Sequence, residues 1–504
     1  MNLLTAPSIS MPGATRLWHH RGADVRSGIT GGDERAAPLE TSAPDDVRSV
    51  LTRPSTSPGV LARSIRLVRR PADMFFADAA ENSGVLRYEV AGGPGRIAIL
   101  SHPAHIKSLM TADPRLAPSA TRMSPLAPIV GSESVLTSVG ARHRRQRSML
   151  LPRFHGKAVA AYRDGIDTAT AKHIDAWPVG ELVPVADIAQ QITLDVILSA
   201  VFGLPDGIPT TSAERDLRAT TLRLLRWSAR PVATLAQLLN SRSASPVGLT
   251  KVVLRPMDRA LYRVLDERRA QPDPDRSDIA QLLLDTRDED GNPLPDSEIR
   301  DELVTLLLAG HETTTNAVAW TFERLTRHPE VYAHAREAAL AGNDNYIDAL
   351  LNESMRARPV VPLVARTLMV PWQFGSQRVE AGVFAGVSIL LLHHRDDLYP
   401  RPFAFDPTRF FDIRPTAHTF MPFGGGIRRC LGAPLAMAEL NTVVTEILRR
   451  VDLETTDRPA ERPQHRNVTM IPADGGLVRA PGGGAYRCPG RSETGHDRQL
   501  LALP

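Results

Sequence analysis

The sequence has few cysteines, few aromatic residues and little net charge, and each shortage excludes a class of protein. Two of the 504 residues are cysteine, Cys430 and Cys488, which are too few for a disulfide-stabilised secreted scaffold and predict a reducing, cytoplasmic location. Aromatic residues make up 5% of the chain and the formal net charge is +4, so we expect no nucleic-acid partner. No apolar run approaches the roughly 20 residues that a membrane helix needs, and no secretory signal is visible.

Hydrophobic residues make up 42% of the chain, and most of them follow helical spacing. This spacing predicts helices at residues 140–150, 158–177, 188–202, 214–227, 252–269, 279–286, 296–327 and 431–449. Two β-like runs, 85–90 and 96–100, are joined by Ala-Gly-Gly-Pro-Gly and predict a hairpin. Later strands are predicted at residues 365–370, 378–380, 384–389 and 467–471. We therefore expect a mainly α fold with small β-sheets, of the α+β class.

The two ends of the chain differ in composition from its middle. Residues 1–58 are rich in Pro, Ser, Thr, Gly and charge without periodicity, which predicts a disordered leader. Residues 59–480 are predicted to form one domain, and residues 481–504 a flexible tail. The basic stretch 61–70 is amphipathic and is read either as a solvated first helix or as a weak peripheral membrane contact.

One glycine-rich segment carries the first chemical signal. It runs Phe423-Gly-Gly-Gly-Ile-Arg-Arg-Cys430-Leu-Gly432 and is followed at once by an apolar helical run. Three successive glycines let a large group lie close to the backbone, and a helix N-terminus stabilises a thiolate. Cys430 has no Cys or His neighbour at zinc spacing, so the segment favours another metal centre. The alternative is a buried, inert cysteine beside a turn.

A second signal lies inside the long predicted helix 296–327, for which Asp296 is the expected N-cap and Pro329 the stop. An acid beside a hydroxyl, Glu312-Thr313, is costly in an apolar helix unless it is used. Gly310 costs about 1 kcal/mol against alanine in a helix interior, and threonine hydroxyls can bond back to the i−4 carbonyl. The alternative is a helix with an incidental threonine-rich patch.

The pattern Phe-x-x-Gly-x-Arg-x-Cys-x-Gly, from Phe423 to Gly432, resembles the haem-binding loop of bacterial members of the cytochrome P450 family. The resemblance implies that the Cys430 thiolate is the axial ligand of haem b, and that Phe423 and Arg428 bind the cofactor. It also implies the family's fold, with the haem between the long distal helix and the cysteine loop.

The segment from Ala309 to Thr313 is similar to the oxygen-activating motif of that family. By resemblance, Ala309 and Gly310 would leave room for O2 and Thr313 would hydrogen-bond the bound oxygen. Glu312 would relay protons as a general acid.

Three basic residues match the family's haem propionate contacts. His143 and Arg147 share one face of the basic helix 140–150, and Arg366 follows in a predicted strand. A buried dianionic porphyrin edge needs paired cations. The alternative is a solvated basic face.

Two further motifs imply a folding role. Glu353 and Arg356 form a Glu-x-x-Arg pair on one helix face, and Phe405-Asp-Pro-Thr-Arg409-Phe410 matches a second family motif. By resemblance, Glu353 and Arg356 would pair with Arg409 and fix the segment that leads to the cysteine loop.

The resemblance implies a monomeric haem-thiolate monooxygenase acting on a small apolar substrate such as a lipid, terpenoid or steroid-like molecule. The chain shows no dinucleotide motif or iron–sulfur cysteine cluster, so electrons are expected from a separate ferredoxin or flavodoxin with its reductase. Arg142, Arg145 and Arg429 are the expected docking residues. The substrate pocket is expected at residues 117–134, 218–247, 303–307, 360–363 and 468–469.

Rival interpretations keep part of this scheme. A haem-thiolate peroxygenase or isomerase, or a non-catalytic haem protein, would use the same fold. A cysteine-nucleophile hydrolase would need a histidine that activates Cys430.

Overall fold

The computed structural model describes residues 59–60, 64, 66–67, 71–81, 84–90, 95–124, 126–228, 240 and 246–481. The predicted leader, most of the basic stretch 61–70 and the tail from residue 482 lie outside the described residues. The helices are α1 Pro71–Glu81, α2 Pro103–Met110, α3 Ala127–Val130, α4 Gly140–Leu150, α5 Lys157–Asp175, α6 Val185–Phe202, α7 Ser212–Ser228, α8 Gly248–Ala270, α9 Ile279–Asp285, α10 Asp296–Thr326, α11 Pro329–Ala341, α12 Asp344–Ala357, α13 Ile389–His393, α14 Arg409–Asp412 and α15 Ala433–Arg450. The strands are β1 Leu86–Glu89, β2 Arg96–Leu100, β3 Leu182–Pro184, β4 Leu363–Thr367, β5 Trp372–Phe374, β6 Gln377–Val379, β7 Phe384–Ser388, β8 Pro463–Arg466, β9 Thr469–Pro472 and β10 Leu477–Arg479.

The predicted fold class is confirmed, because helices dominate and the sheets are small. All eight predicted helices are present, with ends within about four residues of the expected ones. The predicted hairpin is confirmed, since β1 and β2 pair antiparallel with Leu86 opposite Ile99. β7 joins this sheet parallel to β2, and β4 pairs antiparallel to β7, giving the strand order β1-β2-β7-β4.

Helix α10 runs through the centre of the main hydrophobic core and packs most extensively on α6. The predicted N-cap of α10 is wrong by one position. Pro295 occupies the N-cap, and Asp296 is the first helical residue, with its carboxylate paired with Arg269. Asp296 still lies in the first turn, where its charge complements the helix dipole.

Helix α6 is more apolar than the sequence analysis expected, since no run of membrane-spanning length was predicted. Its 18 residues have a mean hydropathy of 1.5, so by length and composition alone it could cross a membrane. However, 67% of it is buried inside the protein, where it packs against α5 and α10. The apolar surface of α6 is therefore used in the core, which explains why the helix is hydrophobic on nearly all sides.

The buried carboxylate of Glu353 joins α12 to the segment that precedes the cysteine loop. Arg356 donates two hydrogen bonds to it, at 2.6 and 2.8 Å, and Arg409 forms an ion pair at 3.1 Å. The Asp406 N–H also donates to Glu353, at 2.8 Å. The predicted three-residue contact is therefore confirmed, in a region where Glu353 and Arg356 are 0% exposed.

Glu439 is a buried acid of a different kind. Its side chain lies between α15 and α10, where it is hydrogen-bonded by Thr314, and its Oε1 has no hydrogen-bond partner among the described residues. Burial raises the pKa of Glu439 to about 8, only partly opposed by the Thr314 hydrogen bond. The carboxyl is therefore neutral at pH 7.

Removing the charge of Glu353 should destabilise the fold strongly. Glu353→Gln leaves two buried guanidinium groups without their acid, and we expect a loss of about 3–5 kcal/mol in the free energy of unfolding. Urea unfolding followed by circular dichroism measures this loss. Glu380→Gln is the control, because the exposed Arg378–Glu380 pair at 3.1 Å should contribute less than about 1 kcal/mol. Equal effects of the two substitutions would contradict the folding role.

Glu439 should give stability a defined pH dependence. The folded protein keeps the Glu439 proton up to about pH 8, whereas the unfolded chain releases it near the ordinary pKa of 4.5. Between these values the folded state binds more protons, so this group makes stability fall as the pH rises. Glu439→Gln should therefore weaken the decline in the free energy of unfolding between pH 5 and pH 8. An unchanged decline would show that the carboxyl is ionised in the folded protein.

Candidate functional site

The cysteine loop is closed by its own backbone. The Cys430 N–H donates to the Phe423 carbonyl at 2.9 Å, and residues Gly426–Arg428 form one turn of 3-10 helix between them. Gly426 has φ +65°, and a Cβ there would lie 2.6 Å from the Met110 carbonyl oxygen. Only glycine fits this position, because both the backbone conformation and the available space exclude a side chain. α15 begins at Ala433, two residues later than predicted.

Cys430 combines an accessible side chain with close protein surroundings. Its side chain is exposed, yet the nearby protein atoms desolvate the thiol and raise its pKa. The Gly432 N–H hydrogen bond and the charges of Arg147 and Arg429 oppose this rise. These observations agree if the sulfur faces an internal open space. Among the described residues no histidine hydrogen-bonds Cys430, so the hydrolase interpretation lacks its base.

The structure brings the predicted propionate ligands together. His143 is 3% exposed, and burial lowers its pKa to about 4, with further lowering by Arg428, Arg147 and Arg366. Arg366 is 5% exposed, and within the described residues its guanidinium hydrogen-bonds the Ala365 carbonyl, at 3.1 Å, and the Met110 sulfur, at 3.7 Å. Within the described part of the chain neither Arg147 nor Arg366 forms an ion pair with an acid. Buried positive charge without an acid is destabilising, and a bound anion would relieve that cost.

Arg428 has a role that the sequence does not reveal. Its guanidinium donates to the carbonyls of Val135, at 2.8 Å, of Leu136, at 3.3 Å, and of Ser138. It thereby fixes the segment 131–138, which leads into α4. Its predicted contact with the cofactor stays a prediction.

The same segment is held by α10 on its other side. Asp301 accepts the Glu133 N–H at 3.1 Å, and both oxygens of Glu302 accept the Val135 N–H, at 3.0 and 3.1 Å. Burial raises the pKa of Glu302 to about 8. The segment 131–138 therefore connects α10 to the cysteine loop.

Within α10, the stretch 308–313 differs from its surroundings. Ala309 is exposed although the helix is buried along most of its length. The Thr313 hydroxyl donates to the Ala309 carbonyl at 2.7 Å, and Thr314 and Thr315 bond back to their i−4 carbonyls at 3.2 and 3.0 Å. These bonds compete with the helical ladder, as the threonine run predicted.

Gly310 serves packing on the side that its missing Cβ faces. A Cβ there would lie 2.6 Å from Cδ1 of Ile197 in α6. The space is therefore filled by another helix, and the expectation that Gly310 leaves it for O2 is not supported. The exposed face of the helix belongs to Ala309 instead.

Glu312 has partners that the sequence reasoning missed. Arg466 Nε donates to its Oε1 at 2.9 Å, and the Thr469 hydroxyl donates to the same oxygen at 3.0 Å. Both partners lie in the hairpin β8–β9, far away in sequence. No periodicity or local spacing signals such a contact.

His311 was also missed as a structural group. It is 1% exposed, and its Nδ1 lies 2.7 Å from the Thr193 hydroxyl of α6. Burial lowers the pKa of His311 to about 3, with a smaller effect of Arg466, so the ring is neutral. The available signal in the sequence was a histidine at the end of the apolar run 303–309, where a polar side chain needs a hydrogen-bond partner.

The expected pocket lining needs correction at residues 303–307. Leu303, Val304 and Leu307 are at most 2% exposed and belong to the main core. Beyond the exposed Asp296 and Ser297 at its start, α10 is buried up to Leu307, and the next exposed residue is Ala309. Much of the expected lining at residues 218–247 lies outside the described residues.

The contact of Glu439 with Thr314 fixes the relation of the cysteine loop to α10. Glu439 follows Cys430 by nine positions, and the six helical steps from Ala433 to Glu439 rise roughly 9 Å at 1.5 Å per residue. The open stretch of α10 ends one residue before Thr314. The contact therefore attaches the helix that follows the cysteine loop to α10 at the residue next to the open stretch.

Comparison with known proteins agrees with this arrangement. Residues 72–479 match the family model described as Cytochrome P450. Cytochrome P450 135B1 of Mycobacterium tuberculosis is 38% identical over 428 residues, covering 83% of this chain and 89% of that protein. Cytochrome P450 137 of the same species is 35% identical over 387 residues, covering 76% and 80%.

Solved structures show the same fold. The retinoic acid-bound cyanobacterial CYP120A1 has a TM-score of 0.69 at 22% identity, covering 83% of this chain and 96% of that one. A second structure, CYP102L1, has a TM-score of 0.68 at 20% identity, covering 82% and 95%. Since the family model spans most of the sequence and the mycobacterial relatives exceed 30% identity over most of it, this chain belongs to the cytochrome P450 family, whose members bind haem b through a cysteine thiolate.

Proposed function

We propose that this chain is a haem-thiolate monooxygenase that inserts one atom of O2 into an apolar organic substrate. The observation that carries the proposal is an accessible sulfur on a glycine-rich loop, beside the half-buried Arg147 and the buried Arg366, neither of which pairs with an acid among the described residues. A dianionic porphyrin with a central iron fits both features at once.

The residues around the loop fit haem b in charge and space. Cys430 would supply the axial sulfur, while His143, Arg147 and Arg366 would hold the two propionates. The buried Arg366 is the most demanding of these, because its charge is desolvated and has no acid among the described residues. When bound, the haem supplies the activation of O2 and the oxidation of the substrate.

The protein's own task is then to deliver protons and limit water. The Thr313 hydroxyl donates to Ala309, at 2.7 Å, so its oxygen lone pairs remain available to accept a hydrogen bond. Glu312 lies next to it and is 15% exposed at its side chain, which gives it access to solvent protons. Together they form the proton path that we propose.

The substrate is proposed to be a small lipid, terpenoid or steroid-like molecule. Leu308 and Ala309 offer an aliphatic surface on the open stretch of α10, and apolar walls favour apolar ligands. The cyanobacterial CYP120A1, which shares the fold, is retinoic acid-bound, and retinoic acid is itself apolar along most of its length. We further propose a monomer in the cytoplasm.

Electrons are proposed to come from a ferredoxin or flavodoxin that docks beside Cys430. Arg142 and Arg429 are exposed and suit this surface. Arg145 suits it less well, because it pairs at 2.5 Å with Glu298, whose side chain is 2% exposed. Arg144 is exposed on the same helix and replaces Arg145 in our proposal.

The reduced, CO-bound protein should show the red-shifted Soret band of a thiolate ligand. Cys430→Ser should abolish this band, because a hydroxyl cannot supply the sulfur. Cys488→Ser is the matched control and should leave the band unchanged. A colourless wild-type protein, or an unchanged band in Cys430→Ser, would contradict the proposed function.

Reversing the charge of Arg142, Arg144 and Arg429 together should slow reduction by an acidic ferredoxin. We expect the reduction rate of the variant to be lower than that of the wild type by a factor on the order of ten at low salt. The difference should diminish at high salt, because salt screens the charge interaction with the ferredoxin in wild type and variant alike. Stopped-flow reduction measures the rate. The control reverses Lys251, Arg255 and Arg259, which are exposed on α8, a helix that packs mainly on α7. Equal rates in the two variants would refute the docking surface.

A further inference from the structure

The carboxylate of Glu312 is held by the tip of the hairpin β8–β9. Arg466 ends β8 and Thr469 begins β9, and these two residues form the pair nearest the turn. Arg466 donates to Glu312 at 2.9 Å and Thr469 donates to it at 3.0 Å. A side chain in the middle of α10 is thus positioned by a segment about 150 residues further along the chain.

Both contacts use the same oxygen of Glu312. Arg466 and Thr469 donate to Oε1, whereas Oε2 accepts no hydrogen bond from any residue in the described ranges. An anchored carboxylate with one free oxygen has a fixed direction and still has an atom that can take up and release a proton. This is the arrangement that a proton-transferring acid needs.

The hairpin is itself anchored, so its reach is fixed. Trp320 of α10 donates to the Met470 carbonyl at 2.9 Å, and the Met470 N–H donates to the Val360 carbonyl at 2.7 Å. The turn contains Asn467 with φ 57°, a conformation that asparagine tolerates well. The backbone N–H and carbonyl of Met470 thus hold the hairpin in place, and the hairpin positions Arg466 beside Glu312.

The two contacts are not equivalent. The Thr469 hydroxyl has two acceptors, Glu312 Oε1 at 3.0 Å and the Arg466 carbonyl at 2.8 Å, but only one proton to donate. It can therefore leave Glu312 without losing a hydrogen bond. Arg466 has no such alternative among the contacts of the described residues, and it is the permanent anchor.

We infer that Arg466 and Thr469 are positioning residues that aim the carboxylate of Glu312, so that the C-terminal hairpin controls proton delivery at α10. The inference rests on the proposed function, because it assigns an orienting role to residues that serve the same proton path. Arg466 is 25% exposed and Glu312 is 15% exposed at their side chains, and such partly exposed pairs contribute little to stability. Losing the pair therefore affects proton transfer far more than folding.

Oxidation of guaiacol by hydrogen peroxide tests this role without knowledge of the natural substrate. Two guaiacol molecules each give one electron and one proton, the O–O bond breaks, and two waters form. Breaking that bond requires a proton to move from one peroxide oxygen to the other, which a positioned acid assists. The readouts are the rate with haem-loaded protein and its solvent deuterium isotope effect.

Arg466→Gln should lower the rate roughly ten-fold or more, because a misaimed acid transfers protons poorly. It should leave the thiolate Soret band unchanged. Glu312→Gln should lower the rate similarly, and the double variant should be no slower than Glu312→Gln, since the two residues act as one unit. Arg466→Lys should recover most of the rate. Arg462→Gln is the matched control, because Arg462 is exposed just before the same hairpin.

A second measurement does not depend on activity. Urea unfolding of haem-free wild type, the two single variants and the double variant gives a double-mutant cycle. The changes in the unfolding midpoint should be small and non-additive, since the substitutions remove one contact. Additive changes would refute the contact.

The kinetic outcomes separate the two proposals. A protein that lacks the thiolate spectrum refutes the proposed function, and the inference falls with it. A wild-type protein that has the spectrum but oxidises no guaiacol, or an Arg466→Gln variant as fast as wild type, overturns the inference alone.

Discussion

Burying a guanidinium without an acid is expensive, and the region around Cys430 depends on that constraint. Arg366 contacts a carbonyl and a thioether instead of a carboxylate, and Arg147 lies close to the Cys430 sulfur. Burial, together with the positive charge of the neighbouring arginines, lowers the pKa of His143 to about 4, so this ring is neutral. Haem b, the cofactor of the family, carries two carboxylates, which match this need in sign and number. Arg147 and Arg366 are therefore the residues whose charge an anionic cofactor would offset.

The cysteine loop and helix α10 are connected through two other parts of the fold. The segment 131–138 is bound by Arg428 on one side and by Asp301 and Glu302 on the other. Glu439, on the helix that follows the loop, adds a second connection through Thr314. Because backbone hydrogen bonds and buried acids form these links, the position of the cysteine loop relative to helix α10 is set by the fold of the chain. Such positioning is what a site of fixed geometry needs.

Helix α10 combines an extensively buried surface with a cluster of side chains that hydrogen-bond its own backbone carbonyls. Four consecutive side chains, from Thr313 to Asn316, donate to the carbonyls four residues earlier, at 2.7 to 3.2 Å. Ile197 fills the space beside Gly310, which holds the rest of the helix against α6. The helix is thus fixed on its packed face, while of the four donors only Thr313 lies on the open stretch. The acid at this point is oriented by a strand hairpin, which links the last part of the domain to its centre.

The sequence by itself determined the fold class and all eight predicted helices, because these depend on local periodicity. It also determined that Glu353, Arg356 and Arg409 would meet, since the resemblance placed them together. It missed the short strands β3, β5, β8 and β10, whose three or four residues carry too little pattern. Only the tertiary structure decided that Gly310 faces Ile197, that Arg428 holds the segment 131–138, that residues 303–307 are core and that Glu312 is anchored by Arg466. Each of these contacts joins residues that are far apart in sequence. The packing of the whole chain determines them, because local spacing does not specify which distant residue a helix or loop will contact.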